Sequence, residues 1–319
     1  MSVSDLISTV SDILIKLERG DSASLSALAR LVSKPGVFEE LLSLSPSNSI
    51  VASVTAYCCF HGLGSVPKDK QKAIALFEMV RTDESLWGTH QYAHALYLCM
   101  NDSDTDSPNT IRDLPPTRQW NRISRTMYRL AKRNYAPAIC RWGIYCYQKV
   151  PMLMAKFRPE ELEFLAYRSF IKAYHAGSWL ACAYLGRCHE EGVGTRVNLE
   201  KAYEHYKKAS DNNQALGFYN LGRCNLFGIH VQVNLPVAFS HFHRAHQLNC
   251  KESNFYLGLL FLGDLVGLNF SQNLEKAAFH WKIAPPVMVE EQLSQILEMK
   301  DLLSIDQVSQ LTKFQDHLV

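Results

Sequence analysis

Residues 181–209 read ACAYLGRCHEEGVGTRVNLEKAYEHYKKA, and the pattern of this segment recurs twice farther along the chain. The pair Leu185–Gly186 recurs 36 and 72 residues later. The segment from Asn198 to Ala202 recurs 36 residues later and then, after a three-residue insertion, 39 residues beyond that. A fixed period of this length is typical of helical repeats that stack side by side.

Each copy predicts two short helices, which we call helix A and helix B. In the first copy, helix A is expected over 178–191 and ends before Gly192, because glycine tolerates the positive φ of a helix C-cap. Helix B is expected after Asn198, a residue suited to the N-cap. The Leu–Gly pair lies inside helix A, where glycine costs about 1 kcal/mol relative to alanine. Its recurrence predicts that helix B approaches closely at this point.

These segments resemble the Sel-1-like repeat, a relative of the tetratricopeptide repeat with the approximate pattern A-x-x-x-L-G-x-x-Y-x-x-G-x-G, then K-A-x-x-x-[YW]-x-x-A-A. Three copies cover 178–284, a fourth covers 52–82, and two degenerate helix pairs cover 86–175. The resemblance implies an all-α fold, a right-handed α–α superhelical solenoid of about six helix pairs with helical caps. We expect an N-terminal cap over 1–46, the solenoid over 47–284 with an insertion loop at 101–116, and a C-terminal cap over 285–319.

Outside the clear repeats, the hydrophobic pattern predicts further helices. They are expected at 4–18, 22–33, 36–44, 87–98, 117–133, 136–148, 159–175, 287–303 and 305–318.

Composition narrows the class of protein. A hydrophobic fraction of 47% with a formal net charge of +2 in 319 residues excludes a disordered chain. The N-terminus lacks the basic start of a signal peptide, and the most apolar stretch, 255–268, is too short for a membrane span of about 20 residues. Nine cysteines without a CxxC motif favour reduced, buried thiols in a cytoplasmic protein, with no metal and no cofactor.

A candidate binding surface follows from the helix geometry. The resemblance implies that the A helices line a concave groove. Leu185 and Gly186 are expected to face helix B, so the opposite side of helix A is expected to face the groove. The predicted groove residues are Arg187, Glu190, Tyr219, Arg223, Phe255, Leu259 and Leu262. A surface that changes from polar to apolar suits a peptide or an amphipathic helix of a partner. The alternative occupant is the pair of C-terminal helices of this chain.

Charge is concentrated in one segment. From Arg112 to Arg158, eleven basic residues face a single acid, Asp113, which is a net +10 in 47 residues. A spacing of 4, 3, 4 and 4 predicts that one helical face carries Arg118, Arg122, Arg125, Arg129 and Arg133. Three interpretations remain open: a solvated face neutralised by the aspartates within 102–106, an acidic protein partner, or nucleic acid or an anionic membrane bound through 112–158. The segment has no RNA-binding signature with stacking aromatics.

Catalytic motifs are incomplete. Residues 169–172 match SxxK and residues 210–212 match SDN, but the K-T-G element that accompanies them in penicillin-binding enzymes is absent. The three histidines at 241, 243 and 246 favour an exposed helix face over a metal site. The resemblance therefore implies a non-catalytic scaffold or adaptor for a protein partner. We expect it to act as a monomer or as a component of a larger complex.

Overall fold

The structure is a computed structural model that describes residues 2–18, 23–80, 85–101, 116–262 and 270–285. All regular secondary structure in these ranges is helical. The first eight α-helices are α1 Val3–Glu18, α2 Ala23–Val32, α3 Val37–Leu44, α4 Ser49–His61, α5 Lys70–Val80, α6 Leu86–Asn101, α7 Pro116–Lys132 and α8 Ala136–Tyr147. They are followed by α9 Pro151–Met154, α10 Pro159–His175, α11 Trp179–Glu191, α12 Leu199–Asp211, α13 Ala215–Phe227, α14 Leu235–Gln247, α15 Glu252–Leu262 and α16 Phe270–Ile283.

The expected helices are confirmed wherever the structure describes them, with ends that differ by at most three residues. The short helix α9 was not expected. The two helices predicted at 287–303 and 305–318, and with them nearly all of the C-terminal cap, lie outside the described residues, as does most of the loop predicted at 101–116. The all-α helix-pair fold is confirmed.

The chain forms two compact units, Met1–Ala181 and Cys182–Val319. In the first unit α4 packs against α5, α6 against α7, and α8 against α10, while α1 and α3 cover α4. In the second unit α12 packs against α13, α13 against α14, and α15 against α16. Consecutive helices therefore pack as pairs, as stacked repeats require. The cap and solenoid limits given above stay a prediction.

The glycines of the Leu–Gly position lie where the two helices of a pair approach most closely. A Cβ atom built on Gly222 would lie 2.7 Å from Cε1 of Phe242, far inside normal contact distance. The same relation joins four glycines of helix A to aromatic residues of helix B: Gly143 to Phe170, Gly186 to Tyr206, Gly222 to Phe242 and Gly258 to Trp281. The predicted close approach is thus confirmed, and the space that glycine leaves is filled by an aromatic ring.

The predicted helix start is also confirmed. The side chain of Asn198 accepts a hydrogen bond from the backbone N–H of Lys201 at 2.9 Å, and Asn234 does the same for Val237 at 3.1 Å. These caps occupy equivalent positions in two successive repeats. Each satisfies one of the backbone donors that a helix start leaves unpaired.

All nine cysteines are buried thiols. Burial raises the pKa of the Cys58 thiol to about 12 and that of the Cys140 thiol to about 11. At neutral pH such thiols stay protonated, so they act as small apolar packing groups rather than as nucleophiles.

Candidate partner-binding surfaces

Two of the predicted groove residues, Glu190 of α11 and Arg223 of α13, form an ion pair. Nη2 of Arg223 lies 2.9 Å from Oε1 of Glu190, and the side chains are 23% and 12% exposed. The hydroxyl of Tyr206 donates to Oε2 of Glu190 at 2.5 Å, and Nη1 of Arg223 donates to Oδ1 of Asn220 at 3.0 Å. Both charges are therefore satisfied within the second unit. Burial, together with the adjacent Glu190 carboxylate, raises the pKa of Tyr206, so its hydroxyl stays protonated.

Arg187 of α11 is likewise engaged by its own helix. Its Nη2 lies 3.0 Å from Oε1 of Glu191, one helical turn away. Such a pair on an exposed helix face contributes about 0.5 kcal/mol or less. The polar part of the predicted groove thus consists of paired charges and offers no unbalanced charge to a ligand.

An aromatic surface adjoins the ion pair. Tyr219 lies one helical turn before Arg223 on α13, and its ring centroid is 5.8 Å from that of Tyr256 on α15. The ring of Phe227, at the end of α13, lies 6.0 Å from Tyr256 and is 57% exposed. Tyr219 and Tyr256 are half-buried. We call Tyr219, Phe227 and Tyr256 the aromatic patch.

The structure corrects one of the predicted groove residues of α15. Phe255 is 2% exposed, so the expectation that it lines the surface is wrong. The partly exposed ring at this level of α15 is Tyr256, the next residue, whose side chain leaves the helix about 100° farther round. Leu259 is half-buried. The side chain of Leu262 lies outside the described part of the chain.

Phe227 was not among the residues predicted from the sequence. Its counterpart one repeat earlier is Glu191, a charged residue. The signal that was available is a large aromatic residue at a repeat position that is polar in the neighbouring copy. A second exposed aromatic, Phe279 on α16, is 60% exposed but makes its ring contact with His280 and not with the aromatic patch.

The basic segment forms α7, whose inner face packs into the first unit. Trp120, Ile123, Met127 and Leu130 are buried on that face. Arg122 is bound rather than free, because its Nη2 lies 2.9 Å from Oε1 of Glu78 and 2.5 Å from the hydroxyl of Tyr92. This arginine holds α7 against α5 and α6.

The outer face of α7, together with the residue that follows the helix, carries the other predicted arginines. Arg118, Arg125, Arg129 and Arg133 are exposed, and their side chains contact no acidic group in the part of the chain that the structure describes. Lys132 is exposed as well, and its Nζ lies 5.0 Å from the ring centroid of Tyr128, which is 62% exposed. No Asp or Glu occurs within α7. We call Arg118, Arg125, Arg129, Lys132 and Arg133 the basic stripe.

Two histidines of α6, the buried His90 and the half-buried His94, have ring nitrogens without hydrogen-bond partners in the described residues. Both ring nitrogens of His90 and Nδ1 of His94 are unpaired. Burial, reinforced by the positive charge of Arg141, lowers the pKa of His90 to about 3 and that of His94 to about 2. Both rings are therefore neutral at physiological pH, and they matter for stability rather than for charge recognition.

The described residues form neither a candidate metal cluster nor a helix that could span a membrane. Within the described ranges, no three His, Cys, Asp or Glu side chains are grouped so that they could hold a metal ion. None of the described helices combines the length and the apolar character needed to cross a bilayer.

Comparison with known proteins agrees with the helix-pair geometry. The sequence matches the Sel1 repeat family over residues 52–79, 179–214, 219–250 and 252–284. No curated protein matches it.

Solved structures that are similar to this chain include the following two. A Sel1 repeat protein from Oxalobacter formigenes has a TM-score of 0.55 and 15% identity, over 79% of this chain and 96% of that one. The protective antigen c5321 of uropathogenic Escherichia coli strains, which displays an SLR fold, has a TM-score of 0.45 and 13% identity, over 99% of this chain and 64% of that one. The first likeness shows the fold alone. The chain therefore carries four Sel1 repeats, and in three of them a glycine of helix A packs against an aromatic residue of helix B.

Proposed function

We propose that this protein is a non-catalytic scaffold that holds a peptide or helix of a partner protein against the aromatic patch. Sel1 repeats generally mediate protein–protein interaction, which supports a protein as the ligand. The observation that carries the proposal is Phe227, an aromatic side chain 57% exposed to solvent and seated on the half-buried ring of Tyr256. Aromatic residues, phenylalanine among them, are enriched in the cores of protein–protein interfaces.

The surroundings of the patch indicate the chemistry of the partner segment. The aromatic rings offer an apolar centre, and the Glu190–Arg223 pair offers a polar border whose charges are already balanced. An interface of this composition fits the usual arrangement of an apolar core inside a polar rim. The partner segment is therefore an amphipathic helix or peptide, with one or two apolar anchors and no requirement for a strong net charge.

The test compares two exposed phenylalanines of the second unit. Tagged wild-type protein, Phe227→Ala and Phe279→Ala are used to capture partners, which mass spectrometry identifies, and the affinity of the purified partner is then measured by calorimetry. We expect Phe227→Ala to weaken binding at least tenfold and Phe279→Ala to change it less than twofold. Circular dichroism melts confirm that both variants are folded.

Equal affinity of Phe227→Ala and wild type for the captured partner contradicts the proposal. So does an equal loss in the two variants, since exposure alone would then account for the effect. A double variant, Phe227→Ala with Tyr256→Phe, tests whether the ring or the hydroxyl of Tyr256 contributes to binding. We expect its affinity for the partner to equal that of Phe227→Ala alone, because the ring of residue 256 is retained.

A further inference from the structure

We propose that the basic stripe of α7 is a second contact site, which binds an acidic segment of a protein partner. The inference rests on the proposed scaffold function and names the chemistry of a second partner segment. It concerns side chains of the first unit only. The proposal for the basic stripe can therefore fail while the proposal for the aromatic patch holds, and the proposal for the patch can fail while that for the stripe holds.

The stripe is held on a rigid support. The buried residues of α7 and the bond from Arg122 to Glu78 fix the rotation of the helix, so the outer side chains cannot turn inward. Arg118 and Lys132 are 14 residues apart, which corresponds to about 21 Å along the helix axis. Carboxylates that occur every three or four residues along a partner helix, about 5–6 Å apart, match this spacing.

The residue types favour planar anions. Four of the five stripe residues are arginines, whose guanidinium groups bind carboxylates through two parallel hydrogen bonds. In the described part of the chain these guanidinium groups have no acidic partner, so binding an acid breaks no existing ion pair. A single exposed pair contributes only about 0–1 kcal/mol, so measurable affinity requires that several stripe residues bind together.

A protein segment fits this surface better than a nucleic acid. The whole chain has a formal net charge of +2 and an isoelectric point near 8.0, whereas nucleic-acid-binding domains are usually strongly basic across a face. Tyr128 is the one exposed aromatic residue of α7, and Nζ of Lys132 lies over its ring at 5.0 Å, so the described helix lacks the series of aromatic residues on which successive bases stack. The five stripe residues lie along one helix and the residue that follows it, so the stripe has the width of a single acidic segment.

The experiment measures binding of a fluorescein-labelled 20-residue polyglutamate peptide by anisotropy in 50–200 mM NaCl. The test variant is Arg118→Gln/Arg125→Gln/Arg129→Gln. The matched control is Lys201→Gln/Lys207→Gln/Lys208→Gln, which removes three exposed positive charges from α12. We expect the arginine variant to lose at least tenfold in affinity and the lysine variant to change less than twofold. The Phe227→Ala variant keeps wild-type affinity for this peptide, which separates this site from the aromatic patch.

Three results overturn the proposal. The first is equal peptide binding by wild type and the arginine variant, which makes the stripe a solvated face. The second is a labelled 20-nucleotide DNA that binds tighter than the peptide in 150 mM NaCl and depends on the same arginines, which makes phosphate the ligand. The third is a tenfold gain in peptide affinity for Asp102→Asn/Asp104→Asn/Asp106→Asn, which makes acids of this chain the occupant.

Discussion

Replacement of Gly222 by alanine tests whether the helix pairs depend on the glycine position. The added Cβ would meet three ring carbons of Phe242 at 2.7, 2.8 and 2.9 Å, whereas carbon atoms in contact stay about 3.5–4.0 Å apart. The ring cannot withdraw easily, because Phe242 is fully buried and stacks on Tyr256 with centroids 4.8 Å apart. Overpacking of this kind costs about 1–3 kcal/mol, while alanine gains about 1 kcal/mol of helix propensity. We expect a net loss of about 1 kcal/mol, which lowers Tm by about 3 °C.

The assay is urea unfolding followed by circular dichroism in two backgrounds. In wild type, Gly222→Ala lowers the free energy of unfolding. In a Phe242→Leu background the ring that blocks the methyl group is gone, so the same substitution is expected to be neutral or stabilising by up to about 1 kcal/mol. The reasoning is refuted if Gly222→Ala stabilises the wild-type protein, or if it destabilises both backgrounds equally.

Three further predictions concern stability. Because the pKa values of His90 and His94 lie far below 6.5 in the folded state, the unfolded chain binds more protons below pH 6.5. Stability is therefore full above pH 6.5 and falls below it, by about 1.4 kcal/mol per histidine at pH 5.5, and urea unfolding of wild type and His90→Gln/His94→Gln at pH 7.5 and 5.5 measures the difference. Asn234→Ala removes a cap and costs about 1 kcal/mol in the same assay, with Ser240→Ala as an exposed control. Arg223→Met leaves Glu190 without its cation and costs about 2 kcal/mol, much of which Glu190→Gln in the same chain restores; equal melting temperatures of these variants would show that the pair is energetically silent.

The charged residues of the predicted groove are already paired, so the partner-binding site is better sought elsewhere on the surface. From the sequence, Arg187, Glu190 and Arg223 were candidates for direct contact with a ligand. In the folded unit these residues form ion pairs with one another or with a neighbour. A partner that binds them must break those ion pairs, and the free energy lost in doing so offsets the free energy gained from the new contacts. Phe227 and the basic stripe are exposed surfaces whose side chains take part in no ion pair within the described residues.

The sequence alone determined the repeat and its period, and it placed the boundaries of the described helices within three residues. It also determined the asparagine N-caps of helix B and the glycines at which the two helices of a pair meet. These features follow from local chemistry and periodicity, which each segment carries by itself. Only the tertiary structure decided which side chains stay accessible. Phe255 became buried while Tyr256 stayed half-exposed, and Arg122 was bound by Glu78 while Arg125 stayed free on the surface. The physical reason is that exposure and pairing depend on residues from other helices, at sequence distances that no local pattern records.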